Sequence, residues 1–172
     1  VRIQSPEGAF SEYKPQGWNL AATAFATKFM GQTLRLLEKG PPLDPELMKR
    51  VRSAQRKAIH FVLTDPAFLE HGRNYSNQFT NVWPGALAWL SQHKDAEIES
   101  LLQKRIAKSA TEFQSPAGYF YEAGGPDWAY NFGTHHSNLL GAWSYTKETP
   151  LGKHFIEEER RFFEGVSYNA VP

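Results

Sequence analysis

The strongest constraint on the fold of this chain is that it repeats itself. Ser5-Pro6-Glu7-Gly8-Ala9-Phe10 returns as Ser115-Pro116-Ala117-Gly118-Tyr119-Phe120, 110 residues later. At about half that interval, Phe29-Met30-Gly31 is matched by Trp83-Pro84-Gly85 and by Leu139-Leu140-Gly141, at spacings of 54 and 56. A fixed period of this length marks one supersecondary unit that cannot bury its apolar face alone and must stack on neighbours. Each unit reads as a loop, an inner helix, a short turn and an outer helix. A glycine at the same depth in each inner helix predicts close helix packing.

Apolar periodicity places six helices. The first spans about Trp18 to Glu38 and stops at Lys39-Gly40-Pro41-Pro42. Asp44-Pro45-Glu46 opens the second, which runs to about Thr64. After a loop at His71 to Tyr75, a third covers about Asn77 to Gln92, kinked at Pro84 or beginning there. Asp95 caps a fourth, with Ile98, Leu102 and Ile106 on its apolar side. An irregular segment from Ser115 to Tyr130 leads to a fifth over Asn131 to Lys147, and Thr149-Pro150 opens a sixth that ends before Gly165. Around Tyr119-Phe120-Tyr121 the chain can pair locally, but no β-branched alternation supports a sheet. The expected fold is all-α: three antiparallel helical hairpins in one domain over 1–172, with repeats at about 5–65, 66–114 and 115–172.

The odd-numbered helices carry less charge than the even-numbered ones, which hold Lys49-Arg50, Arg56-Lys57, Lys104-Arg105 and Glu157 to Arg161. That contrast predicts an inner apolar layer and an outer solvated one. Such hairpins look like an (α/α) toroid, of which three make an incomplete part. A fragment of a longer chain is therefore expected, with its remaining domains as partners. Nineteen Lys and Arg against 18 Asp and Glu leave a formal charge of +1, with no basic tract to suit nucleic acid. The absence of cysteine excludes disulfides and thiolate metal sites. No apolar run reaches the length of a membrane span.

Chemistry is expected where the loops lead into the inner helices. One repeat brings Arg73, Asn74, Tyr75, Asn77 and Asn81 to that face. The next brings Glu122, Asp127, Trp128, Tyr130, Asn131, His135, His136 and Asn138. Asn131, His135 and Asn138 fall at i, i+4 and i+7 on one polar stripe, and Asn77 and Asn81 form a matching one. His136 points roughly 100° away, among Phe132, Leu139, Leu140 and Trp143, and reads as a core histidine. Trp18, Tyr75, Trp83, Trp128 and Tyr130 serve equally as sugar-stacking platforms or core filling. His135-His136 with Asp127 is poor spacing for a single zinc, so neither metal nor cofactor is expected.

A glycosidase needs two carboxyl groups across a sugar ring, and Glu122 with Asp127 is the available pair. Eliminative cleavage of a uronic-acid polymer instead needs an amide or cation on the carboxylate, a base for the C5 proton and an acid for the leaving oxygen. Asn, His, Tyr and Arg are the types gathered here.

The segments Asn74-Tyr75-Ser76-Asn77-Gln78-Phe79-Thr80-Asn81 and Trp128-Ala129-Tyr130-Asn131-Phe132-Gly133-Thr134-His135-His136-Ser137-Asn138, with the hairpin pattern across nearly the whole chain, resemble the (α/α)-toroid polysaccharide lyases of the heparinase II/III-like and alginate-lyase-like groups. That resemblance implies β-elimination on an acidic polysaccharide outside the cytoplasm, by a secreted or periplasmic protein. It implies that Asn77 or Asn81 neutralises the carboxylate, that His135 (second choice His136) is the base, that Tyr130 is base or acid, and that Arg73 anchors substrate. Tyr75, Trp128, Asn131 and Asn138 complete the expected binding surface. A toroid glycoside hydrolase and a non-catalytic carbohydrate-binding scaffold are the alternatives. The family usually carries a β-sandwich domain after the toroid, which this chain does not supply.

Overall fold

The computed structural model describes residues 3–123 and 125–169, and the chain is mostly helical. Helix α1 (Leu20–Leu37) is capped by Asn19, whose side chain accepts from the Ala22 N–H; α2 (Pro45–Thr64) is capped by Asp44. Helix α3 spans Pro66–Asn74, α4 Ser76–Thr80, α5 Val82–Leu90 and α6 Ala96–Glu112. Strands β1 (Tyr121–Glu122) and β2 (Gly125–Pro126) form a small antiparallel hairpin. Helix α7 (Trp128–Tyr130) then leads through a π-helical turn (Asn131–His135) into α8 (His136–Trp143), and α9 covers Pro150–Asn169.

Three antiparallel helix pairs result. Arg52 meets Glu38 while Gln55 meets Gly31, so α2 runs back along α1. Phe113, just after α6, packs on Phe79 and Trp83 at the start of the second pair. His136 meets Glu159 and Phe163 at one end of α8/α9, while Gly152 meets Thr146 at the other. Successive pairs stack side by side. Gly85 of α5 lies against Thr27 of α1, and Gly141 of α8 lies against Pro84 of α5. The matched glycines are therefore contact points, where a Cβ would push neighbouring helices apart.

The loop repeat is also a structural repeat. Gly8 and Gly118 both take positive φ (129° and 94°), in tight turns closed by Ser5 N–H to Ala9 O and Ser115 N–H to Tyr119 O, each 2.8 Å. Gln4 Nε2 donates to Gly8 O and to Ala54 O on α2; Gln114 Nε2 donates to Gly118 O and to Glu158 O on α9. Phe10 N–H is accepted by Thr23 Oγ1 on α1, and Phe120 N–H by Asn131 Oδ1 before α8. Each loop thus ties the inner and outer helices of its own pair.

Four local expectations need correction. Residues 71–74, expected as loop, close a helix that begins at Pro66, because Asp65 caps the Phe68 N–H and Pro66 presets the first turn. Gly72, read as a loop residue, is a packing glycine against Phe79. The third helix breaks at Asn81, three residues before Pro84, because proline offers no N–H to the carbonyl four residues back. The last helix continues through Gly165, which lies against Ala117 and Gly118 and so serves close packing. The core comprises Leu20, Ile59, Val62, Phe79, Trp83, Ile98, Leu102, Ile106, Phe113, Leu139, Phe155 and Phe162, all at most 3 % exposed.

Candidate functional site

The two polar stripes meet, and they meet inside the protein. Helix α4 supplies Ser76, Asn77 and Thr80, the π-turn supplies His135, α8 supplies Asn138, β1 supplies Glu122 and α1 supplies Lys28. All are at most 7 % exposed, and His135 and Asn138 are fully enclosed. The β1 arm lies over this region: Ala123 N–H donates to Asn74 O at 2.6 Å, and Ser76 Oγ donates to Tyr121 O at 2.8 Å.

Donor and acceptor counting orders the cluster. The Lys28 ammonium donates to Asn138 Oδ1 (2.8 Å) and to Ser137 Oγ (3.0 Å). Asn138 Nδ2 donates to Thr80 Oγ1 (3.0 Å) and Asn77 O (3.2 Å), and Thr80 Oγ1 lies 3.5 Å from His135 Nδ1. Ser76 uses its single hydroxyl proton on Tyr121 O, so at 2.7 Å from His135 Nε2 it accepts. His135 is therefore the Nε2–H tautomer. That proton also faces Glu122 Oε1 at 3.3 Å, and the Glu122 carboxylate accepts from Asn77 N–H (2.8 Å) and Asn77 Nδ2 (2.6 Å). The polar path runs from a buried cation to a buried anion through groups that are neutral.

Burial holds the His135 imidazole below its ordinary pKa, opposed only in part by Glu122. Burial likewise lowers Lys28. The ring of His135 stacks on Phe120 at 4.1 Å. Asn81 is also enclosed; its Nδ2 donates to Asn77 O at 2.7 Å, and its Oδ1 has no partner among the described residues.

The other expected site residues lie elsewhere. Asn131 is a backbone clamp, accepting from Phe120 N–H and donating to Phe120 O and Asp127 O. Asp127 caps α7 through Ala129 and Tyr130 N–H. Arg73 pairs with Glu70 (2.7 Å) and Glu112 (3.6 Å) on the surface. Tyr75 is half-buried and stacks on His71. Trp128 and Tyr130 are 41 % and 50 % exposed and take no part in the cluster. The two histidines exchange the positions the sequence suggests. His135 is the core residue, while His136 lines an open groove with its Nδ1 2.8 Å from Glu159 Oε2. Helical phase separates the two rings correctly, but it does not say which side faces solvent. Sequence reasoning missed Lys28 and Ser76, whose only signal was a lysine on the apolar side of α1 and a serine before Asn77.

Among the described residues no three His, Asp or Glu side chains gather in a manner that would hold a metal ion, and no helix is long and apolar enough to cross a membrane. Comparison of the chain with family models, with curated proteins and with solved structures gives no match.

Proposed function

We propose that this chain is a helical-hairpin scaffold that binds polysaccharide through exposed aromatic side chains, and that its polar cluster is a structural clamp joining the three hairpins. The observation behind this reading is the enclosure of His135, Asn77, Asn138 and Glu122, which satisfy one another and leave no face for a sugar ring. The residues offered to solvent near the start of α8 are Trp128, Tyr130 and Phe132, flat surfaces suited to stacking on pyranose rings. Curvature of the hairpin stack into part of an (α/α) toroid, and a place outside the cytoplasm where such polymers occur, belong to the same proposal. Affinity electrophoresis in gels containing alginate, glucuronan or a glycosaminoglycan tests it. Retardation by at least one polymer is expected, weakened in Trp128→Ala and Tyr130→Ala; unretarded migration in all of them would end the proposal.

A second reading, uronate lyase, is favoured by one observation. The imidazole of His135 and the side-chain amide of Asn77, from neighbouring hairpins, both reach the Glu122 carboxylate. A base beside an amide is the pairing that proton abstraction next to a carboxylate requires. It demands that the β1–β2 arm lift from α4. Ultraviolet absorbance of an unsaturated product, abolished in His135→Ala, would establish it over the scaffold. Glycoside hydrolysis has less support, because Glu122 is tied to Asn77 and Asp127 to the α7 N-terminus.

A further inference from the structure

The hairpin repeat gives meaning to the open groove between α8 and α9. This groove encloses about 210 Å³ and is lined by His136, Leu140, Trp143, Ile156, Glu159 and Phe163, among others. Leu140, Ile156 and Phe163 are 56 %, 52 % and 47 % exposed.

Each of these three occupies a position that the preceding hairpin uses as an interface. Gly85 and Gly141 correspond in the inner helices, so Leu140 corresponds to Pro84, and Pro84 is buried against Gly141 of the next pair. Asp95 and Thr149 correspond as caps: Asp95 accepts from Ile98 N–H and Thr149 from Gly152 N–H, each three residues on. By that register Ile156 corresponds to Leu102, which is 1 % exposed in a seam shared with Thr146 and Leu151. Phe163 corresponds to Ser109, 2 % exposed and bonded to His154 and Glu158 of α9. The face that the second hairpin covers with the third is thus repeated on the third, enlarged in apolar side chains and left open among the described residues.

We propose that the α8/α9 groove seats a further helical hairpin of the same type, one that presents a glycine at mid-depth of its first helix. Both existing seams place such a glycine on the preceding inner helix, Gly85 on Thr27 and Gly141 on Pro84. A second copy of this chain does not qualify as the occupant. Its three matched glycines, Gly31, Gly85 and Gly141, are already in contact with neighbouring helices. The inference rests on the repeat alone and is independent of carbohydrate binding.

The test extends the whole chain after residue 172 with a flexible Gly/Ser linker and a copy of its own residues 76–112, which carry Gly85. In a stacked-repeat protein each added interface contributes to stability, so a rise in melting temperature of about five degrees is expected. Amide exchange in α8 and α9 should slow at least tenfold. Leu140→Glu and Phe163→Glu should cancel both gains, as should leucine at the glycine of the added copy. Unchanged melting and exchange in the extended chain would overturn the proposal. So would concentration-dependent dimers of the unextended chain that Phe163→Glu dissolves, since a second copy would then be the occupant.

Discussion

At the scale of single residues, two histidines pull the stability of this protein in opposite directions with pH. Burial depresses His135, so the folded state refuses a proton that the unfolded chain accepts below about pH 6.5. Its contribution is whole above that pH and is lost as the pH falls through it. His154 is raised, first by its hydrogen bond to Glu158 (3.1 Å). Its contribution is whole below about pH 6.5 and is lost as the pH rises through the raised folded value. The two windows meet near pH 6.5, with His135 acting on the acid side and His154 on the alkaline side. In His154→Gln the acid-side loss should stand alone, with a slope of up to about 1.4 kcal/mol per pH unit below pH 6.5. Urea denaturation between pH 5 and 7.5 measures it, and a flat profile in that variant would mean that His135 is accessible to protons in the native state.

At the scale of elements, the glycines sort into packing positions and neutral ones. Gly118 has a positive φ, and a Cβ there would strike the Arg161 carbonyl on α9. Gly118→Ala should therefore cost about 2–3 kcal/mol, from strain in the turn and from lifting the loop off the helix. Gly133 lies in the π-turn, where a Cβ would meet no atom of the described residues within 4 Å. Gly133→Ala should be neutral or stabilise by up to about 1 kcal/mol, by removing backbone freedom from the unfolded chain. Thermal unfolding of the two variants gives the contrast; equal effects would count against the docking role of the 115–120 turn.

The elements also show what the sequence could reveal. The Ser-Pro-x-Gly repeat and the matched glycines were legible because backbone requirements write directly into residue type: only glycine fits Gly8 and Gly118. Helix α3 was not legible, since Gly72 carries the same letter whether it ends a helix or receives Phe79. The cluster was half legible. Periodicity brought Asn77, His135 and Asn138 to common stripes, but a polar stripe on an inner helix reads alike whether it lines a cleft or pairs with another stripe. Which of these holds depends on the β1 arm, and Glu122 reaches Asn77 only through tertiary docking that no local pattern encodes.

At the scale of the whole molecule, the buried charges Lys28 and Glu122 do not touch and are joined only through the polar path of Asn138, Thr80 and His135. Removing one leaves an uncompensated ion in the interior, a cost of about 3–5 kcal/mol for buried pairs in direct contact and less through intervening groups. Lys28→Met and Glu122→Gln should each destabilise. The double variant should lose less than the two separate losses combined, by about 1–2 kcal/mol. Strict additivity in a double-mutant cycle would show that the path through Asn138, Thr80 and His135 carries no coupling.

That path draws on every hairpin: Lys28 from the first, Ser76, Asn77 and Thr80 from the second, His135 and Asn138 from the third. Its consequence lies in the order of folding. Helix pairs form from contacts close in the chain and can appear early, whereas the Lys28–Asn138 link closes a loop of 110 residues. No hairpin can complete the network alone, so in a partial assembly the charges at its two ends stay in water. The expected last event on the folding route is then the joint desolvation of both ends. A stack that would otherwise assemble piecemeal, as repeat arrays do, acquires an all-or-none final step.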